Sequence, residues 1–430
     1  MAITFRNKNS SPEIKTFGCR LNIWESQVIS DHVSKHGHSD LIIFNTCAVT
    51  SEAERQARQA IRSAKNNRPD AKILVTGCAA QINPEKWSSM SEVNFVIGNK
   101  EKLDDKFWAS FNTDVNLENN NKVFVQNIMQ VKKTSEHLVE SFNKHTRGFV
   151  QVQNGCDHRC TFCVIPFGRG PIRSVSTQNV INSIHSLIDN GIKEVVLTGV
   201  DLTSWGNDIF GKPSLGLLVK KILKNIPDLP RLRLSSLDPA EVDFELMDAF
   251  QNEKRLMPHI HLSIQHGDDL ILKRMKRRHL YRDVINFVNE ARRRRSDIVF
   301  GGDFIAGFPT EDINAHNKSI KLIKEANITY VHVFPYSKRD KTAASKMPEV
   351  LSTDIKKRAK DLRNLAEKQR ETFLQNQIGT IQNVLIEKNS VGYSSNFSKV
   401  KLNDDVKASS IISTKIVDIN SEGLVGNVFN

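Results

Sequence analysis

Cysteine is scarce in this chain, with six residues in 430. Six are too few for a disulfide scaffold, and they fall into two sets of three that cannot pair internally, so reduced thiols are expected. No apolar run approaches the roughly 20 residues needed to span a bilayer. The start, Met1-Ala-Ile-Thr-Phe-Arg-Asn-Lys8, lacks the apolar core of a secretion signal. The expectation is a cytoplasmic protein with no membrane association. Acidic residues are also in deficit: 61 Lys and Arg face 48 Asp and Glu, a net charge of +13. A polyanionic partner such as RNA follows from that balance. The 39% hydrophobic content suits two or three domains with real cores.

What cysteine there is sits in two patterns. Cys156, Cys160 and Cys163, in Asn154-Gly-Cys-Asp-His-Arg-Cys-Thr-Phe-Cys-Val-Ile-Pro166, form a C-x3-C-x2-C triplet. The spacing resembles the iron–sulfur signature of radical S-adenosylmethionine (SAM) enzymes. Three thiolates on one short loop can hold three irons of a [4Fe–4S] cube and leave the fourth iron open to chelation by SAM. Zinc is the competing reading, but it normally wants four ligands. No fourth cysteine is near, and His158 lies inside the loop, where it could not easily complete a tetrahedron.

Cys19, Cys47 and Cys78 are far apart in sequence but share a context. Each ends a short apolar run (Ile14 to Cys19, Leu41 to Cys47, Ile73 to Cys78) and precedes a helical pattern (Glu25 to Ser34, Glu52 to Lys65, Pro84 to Ser91). In a parallel sheet of such units all strand C-termini share one edge, so the three thiols are expected to converge there as a second three-thiolate site. The alternative is three ordinary buried core cysteines. The equivalent position of all three argues against it.

From Phe149 a new alternation supplies strand candidates Phe149–Val152, Val195–Thr198, Leu232–Ser235, Ile260–Ile264, Ile298–Ile305 and Val331–Phe334, separated by helical patterns. Six βα repeats suggest an open or partial barrel whose working face is its C-terminal strand ends. The polar stretch Asn112 to Asn121 between the two regions reads as a linker or surface excursion. After Ile378, short alternating strands with Gly379, Gly392, Gly423 and Gly426 at turns read as a small β-barrel or sandwich.

Positive charge is concentrated. Lys273 to Arg295 carries ten basic residues against Asp283 and Glu290, and Lys356 to Arg370 carries seven against Asp361 and Glu367. Both runs are expected to supply the electrostatic part of RNA binding. In the second run, Ile355, Leu362, Leu365 and Phe373 keep an apolar stripe at helical spacing and leave Lys356, Lys357, Lys360 and Arg363 outside.

Taken in order, the two cysteine sets resemble the radical SAM methylthiotransferases. So do Val195-Val-Leu-Thr-Gly-Val-Asp-Leu202, Arg231-Leu-Arg-Leu-Ser-Ser-Leu-Asp-Pro239, the His261 to Arg277 stretch, Asp303-Phe-Ile-Ala-Gly-Phe-Pro-Thr-Glu311 and His332-Val-Phe-Pro-Tyr-Ser337. The resemblance spans nearly the whole chain. It implies an α/β fold in three parts: an N-terminal parallel α/β domain (10–115), a central partial (β/α)6 radical SAM barrel (142–374) and a small C-terminal RNA-binding β-barrel of the TRAM kind (377–430). It implies two [4Fe–4S] clusters and SAM as cofactors, tRNA as substrate, and an electron donor and a sulfur donor, both unidentified.

Thr16-Phe-Gly-Cys-Arg-Leu-Asn22 and Phe334-Pro-Tyr-Ser-Lys-Arg339 look most like the type acting on C2 of N6-threonylcarbamoyladenosine at tRNA position 37. The isopentenyladenosine and ribosomal-protein types are the alternatives. By this resemblance the cluster on Cys156, Cys160 and Cys163 would cleave SAM, and the cluster on Cys19, Cys47 and Cys78 would carry the sulfur. Thr198, Gly199, Asp201, Ser235, Ser236, Gln265 and Gly307 are the SAM-contact candidates by their place at strand ends. Ser235 and Ser236 could instead cap the following segment, and Gly307 could be a simple turn. In the C-terminal domain five Lys are balanced by five Asp and Glu, so RNA contact there is expected through stacking on Tyr393 or Phe397 rather than charge. Those rings could equally be core residues. Two other function classes fit less of the chain: a radical SAM enzyme with a non-RNA substrate, and an RNA-binding protein using metal as a staple.

Overall fold

The computed structural model of the chain describes residues 3–5, 12–38, 40–132 and 146–429. The expected domain starts at residues 10 and 142 lie outside the described residues. The fold separates into two compact units. One gathers Met1–Val139, Gln153–Val175 and Ser337–Ser345; the other gathers Glu140–Val152, Ser176–Tyr336 and Lys346–Asn430.

The first unit is built on a six-stranded sheet whose strands run in chain order: Ile3–Phe5, Glu13–Thr16, Leu41–Thr46, Lys72–Gly77, Phe95–Ile97 and Val123–Phe124. All neighbours are parallel except the first pair. Period-two alternation sends successive side chains to opposite faces. Ile42, Phe44, Ile73 and Val75 therefore pack with Ala57 and Ile61 of the helix Ser51–Asn67. Leu41, Ile43 and Leu74 turn the other way, onto Ile29, Val33 and Trp108. With both faces covered, the central strands can be apolar without alternation, as parallel strands usually are.

The Asn112–Asn121 stretch is not a linker. Asn112 Oδ1 accepts the amides of Asp114 (3.0 Å) and Val115 (3.1 Å), capping a helix over Thr113–Glu118, and the chain then adds Val123–Phe124 to the sheet, past residue 115. Polarity marks a cap as readily as a linker, because Asn stabilises helix starts.

The second unit holds six parallel strands, Arg147–Gln151, Glu194–Thr198, Arg231–Leu234, His259–Gln265, Val299–Ala306 and Tyr330–Pro335, at the six expected places. Between the third and fourth the ladder gives way to isolated bridges such as Leu237 to Leu262, so the barrel is drawn from two three-stranded sheets. The last residues form a closed five-stranded β-barrel around Val384, Ile386, Val400, Leu402, Ile416 and Leu424.

That small barrel seats on the N-terminal ends of the large barrel's strands. Arg231 donates to the carbonyls of Tyr393 (3.2 Å) and Asn383 (2.7 Å), and Arg233 to that of Ser395 (3.2 Å). Glu194 takes both forks of Arg233 (2.9 and 3.1 Å). Burial alone would raise the Glu194 carboxyl, but the Arg233 ion pair outweighs it and holds the pKa at about 2.

The Lys273–Arg295 run departs from expectation. Arg277 and Arg278 bind Asp238, Arg293 and Arg294 bind Glu290, Arg292 donates to the carbonyls of Ala326 and Asn327, and Arg295 donates to three carbonyls from Phe250 to Leu256. Arg277, Arg292 and Arg295 brace the fold, because planar forks match buried carboxylates and the carbonyls left at helix ends, whereas Lys273, Lys276, Arg282 and Arg293 stay exposed.

Candidate active site

Each N-terminal cysteine stands where a strand gives way to a helix. Cys19 is the N-cap of the helix Arg20–Lys35, Cys47 follows the strand Leu41–Thr46, and Cys78 is the first residue of a short helix after Lys72–Gly77. Adjacent parallel strands bring the three to one sheet edge. Cys47 lies so close to the Cys19 segment that a side chain at Gly18 would begin 2.7 Å from Cys47 Cβ and 2.9 Å from its Sγ. Burial, with the neighbouring Cys19 and Cys78 thiols adding to it, pushes the Cys47 pKa up to about 12. The neighbouring thiols thus disfavour the ionisation of Cys47, a cost that a bound cation would relieve.

The Cys78 side of this set is wired to buried charge. Arg169 Nε donates to Cys78 Sγ at 3.0 Å, and its terminal nitrogens reach Asn22 Oδ1 (2.6 Å) and both oxygens of Glu25. Lys102 Nζ reaches Glu25 from the other side at 2.6 Å. Burial would raise the Glu25 carboxyl, but Arg169 and Lys102 outweigh it and keep it ionised below the usual range. Asn22 is anchored in turn to the carbonyls of Phe17 (2.7 Å) and Thr46 (3.2 Å).

The second triplet hangs on a pinned loop. Gln153–Asn154 pairs antiparallel with Arg173–Ser174, Cys156 N donates to Gly170 O (3.1 Å), and Asp157 Oδ1 accepts Ile172 N (3.1 Å). Gly155 has φ +74°, and a Cβ there would lie 1.8 Å from Pro171 O. Only glycine fits. Within the loop Cys163 N donates to Cys160 O (3.0 Å), and the guanidinium of Arg159 folds back on Cys156 O (3.0 Å). All three thiols are half-buried, so they line a surface rather than fill a core.

The expected SAM-contact residues divide. Thr198, Gly199, Ser235, Ser236 and Gln265 lie at or just past strand C-termini, and the buried Ser235 hydroxyl has no hydrogen-bond partner among the described residues. A buried orphan hydroxyl costs free energy until a ligand meets it. Asp201 and Gly307 also follow strand ends, and each makes a local contact. The Asp201 carboxylate accepts Ser204 Oγ at 2.7 Å within the turn Leu202–Ser204. Gly307 N donates to Glu311 Oε2 at 2.7 Å, with Ile355 packed on its Cα.

Of the expected RNA contacts, Lys356, Lys357, Lys360 and Arg363 are exposed on the helix Ser352–Gln375. Tyr393 and Phe397 are not free platforms. Phe397 is stacked between His259 and Tyr393, at 5.1 Å on each side, with Arg233 4.9 Å from its centroid, and Arg147 lies 4.8 Å from the Tyr393 ring. The rings dock the β-barrel to its own chain.

A profile of the radical SAM superfamily matches residues 150–332, and one described as uncharacterized protein family UPF0004 matches residues 12–98. The threonylcarbamoyladenosine tRNA methylthiotransferase MtaB of Rickettsia prowazekii is 48% identical to this chain and covers 97% of both. The protein of the same name from Aquifex aeolicus is 35% identical, over 87% of this chain and 92% of its own. The chain belongs to the radical SAM methylthiotransferases.

A tRNA-2-methylthio-N(6)-dimethylallyladenosine synthase of Bartonella bacilliformis is more distant, 32% identical over 97% of this chain and 96% of its own. Among solved structures, a radical SAM methyltransferase, TsrM, from Kitasatospora setae shares the fold with a TM-score of 0.55 at 15% identity, covering 75% of this chain and 74% of its own. The cofactors of this methylthiotransferase are SAM and two [4Fe–4S] clusters. The residues present fit them: six cysteine thiols in two sets of three, each set one ligand short of a cube's four irons, with a buried guanidinium on one sulfur.

Sequence reasoning missed Arg169 and a polar cluster inside the large barrel. His261, Asp303 and His332, on three successive strands, bring their ligand atoms within 4.8 Å of one another. Burial pushes the Asp303 carboxyl up, but hydrogen bonds from His261 and His332 outweigh it and hold it below the usual range. The signal was available in the parallel register, since each of the three opens one of the resembling motifs. No helix among the described residues is long and apolar enough to cross a membrane.

Proposed function

We propose that this chain transfers a methylthio group to C2 of N6-threonylcarbamoyladenosine at position 37 of tRNA, in the cytoplasm, with an electron donor and a sulfur donor from outside the chain. The observation that carries this reading is the near full-length likeness to the protein of that name at 48% identity, joined to two three-thiol sets in one polypeptide. When bound, the two clusters and SAM supply one-electron chemistry able to act on an unactivated C–H bond, together with the sulfur and the methyl group.

The chain's own residues bind and orient. Cys156, Cys160 and Cys163 hold one cluster on a loop that Gly155 and Asp157 keep in shape. Cys19, Cys47 and Cys78 hold the other at the sheet edge. Thr198, Gly199, Ser235, Ser236 and Gln265 stand at the strand ends to meet SAM. Lys356, Lys357, Lys360 and Arg363 present positive charge to the tRNA backbone, as do Arg58, Lys86 and Lys341, which line a basic pocket of the first unit.

Mass spectrometry of tRNA nucleosides from a strain lacking the gene tests the proposal. Loss of the methylthio form of threonylcarbamoyladenosine, restored by the intact gene, is the expected result. Loss of the methylthio form of isopentenyladenosine instead would move the substrate assignment, and unchanged tRNA nucleosides would remove tRNA as the substrate.

A further inference from the structure

The charges around Cys78 do not balance without its sulfur. Arg169, Glu25 and Lys102 are all buried, at 2% exposure or less, and are linked in one chain of hydrogen bonds. Two cations and one anion leave an excess of one positive charge. Isolated buried charge is costly, and an anion beside Arg169 relieves it. The Arg169 Nε–H group points at Cys78 Sγ, 3.0 Å away. Arg169 also ends the helix Ile165–Arg169, which begins two residues after Cys163. The residue that touches one cysteine set is thus carried by the chain that leaves the other.

We propose that Arg169 is a positioning residue for the cluster on Cys19, Cys47 and Cys78: its charge and Nε–H hydrogen bond hold the Cys78 thiolate and raise the reduction potential of that cluster. The proposal rests on the reading that these thiols bind a cluster. The physical basis is that one-electron reduction adds negative charge to the cluster and its sulfurs, which a hydrogen-bond donor and a fixed cation stabilise. Glu25 acts in the opposite sense. Its carboxylate offsets the guanidinium, so removing its charge leaves Arg169 more strongly positive toward the sulfur.

The test uses the full chain carrying Cys156→Ala, Cys160→Ala and Cys163→Ala, reconstituted without oxygen, so that the remaining site alone is read. Iron content of this parent tests the cluster reading separately. A potentiometric titration with dithionite as reductant, followed by electron paramagnetic resonance, then measures the midpoint. Arg169→Gln is expected to shift it to more negative potential and Glu25→Gln to more positive potential. Because Arg169→Gln leaves Glu25 paired with Lys102, the variant retains a neutral buried pair. Should it still fail to load iron, Arg169→Lys, which keeps the charge and loses the planar fork, and Glu25→Gln decide. A midpoint unchanged in iron-loaded Arg169→Lys and Glu25→Gln, or shifts of the same sign for the Arg169 and Glu25 variants, would overturn the proposal and make the network a purely structural core.

Discussion

The two cysteine sets are built on opposite architectural terms. Cys156, Cys160 and Cys163 sit within eight consecutive residues on a half-buried loop, held in shape by the Cys156 amide on Gly170 O and the Asp157 carboxylate on Ile172 N. Cys19, Cys47 and Cys78 are gathered from three strand ends, with buried charge on one side and apolar core beneath. A ligand set written in local spacing can be lost through one loop residue. One assembled by topology depends on the whole sheet and on residues that are not ligands at all.

Removing whole sets should separate the two most sharply. Replacing Cys156, Cys160 and Cys163 by Ala is expected to abolish SAM cleavage. Replacing Cys19, Cys47 and Cys78 should leave 5′-deoxyadenosine formation in place without methylthiolated product. Iron should fall from about eight to about four per chain in either case. If the N-terminal triple variant keeps about eight irons in anaerobic iron analysis, the assembled site is not a cluster site.

A gentler break addresses the loop alone. Gly155→Ala forces a side chain into the left-handed region, at a cost of about 1–2 kcal/mol, and onto Pro171 O. Since about 1.4 kcal/mol is a factor of ten, SAM cleavage is expected to drop at least about tenfold. The N-terminal cluster should keep its iron, as read by spectroscopy of the separate triple-alanine backgrounds. Equal loss from both sites would mean that the loop and the sheet edge stand or fall together.

This contrast also explains how much of the molecule was legible. The six barrel strands and the closed C-terminal barrel followed from apolar periodicity, which depends only on neighbours in sequence. The alignment of Cys19, Cys47 and Cys78 could be read because parallel strands share one edge, so topology converts three distant positions into one place. Arg169 could not be read in the same way. Nothing near Gly168-Arg169-Gly170 shows that its side chain reaches Cys78 and Glu25. Part of the Arg277 to Arg295 stretch was unreadable for the same reason: a basic run looks alike whether its guanidiniums face solvent or bind Asp238 and helix-end carbonyls. Tyr393 and Phe397 showed their aromatic character but not that His259 and Arg233 would occupy it.

The seat of the C-terminal barrel extends the comparison to an assembled ion pair. Glu194 has a folded pKa of about 2 against an ordinary value of 4.5. A depressed carboxyl stabilises the fold fully above its unfolded pKa and loses that contribution as pH falls through the folded one. The window is therefore about pH 4.5 down to 2, with about 3 kcal/mol at stake. Acid unfolding followed by circular dichroism should show the intact chain losing stability in that window more steeply than Glu194→Gln, which begins less stable at neutral pH. Parallel acid curves for the two would show that Glu194 is not the group responsible. Phe397→Ala, which removes the ring between His259 and Tyr393, should lower the melting temperature by the equivalent of about 1–2 kcal/mol. It should leave the salt dependence of tRNA affinity alone.

The smallest effect per residue is expected where the sequence was most directly readable, on the exposed face of Ser352–Gln375. Lys356, Lys357, Lys360 and Arg363 stand in solvent, whereas Arg358 on the same helix is tied to Glu311 at 2.8 and 3.1 Å. Each exposed cation that meets a phosphate releases counterions, contributing roughly 0.7–0.9 units to the log–log dependence of affinity on salt. Neutralising all four should flatten that slope by up to about three units, with each single change costing less than about tenfold in affinity. Arg358→Gln should behave differently, lowering stability through Glu311 without flattening the slope in proportion. Salt titrations of tRNA affinity on the quadruple variant and on Arg358→Gln decide between these roles. An unchanged slope in the quadruple variant would reduce this face to solvated charge and move the electrostatic term to another surface, where Arg58, Lys86 and Lys341 are the next residues to neutralise.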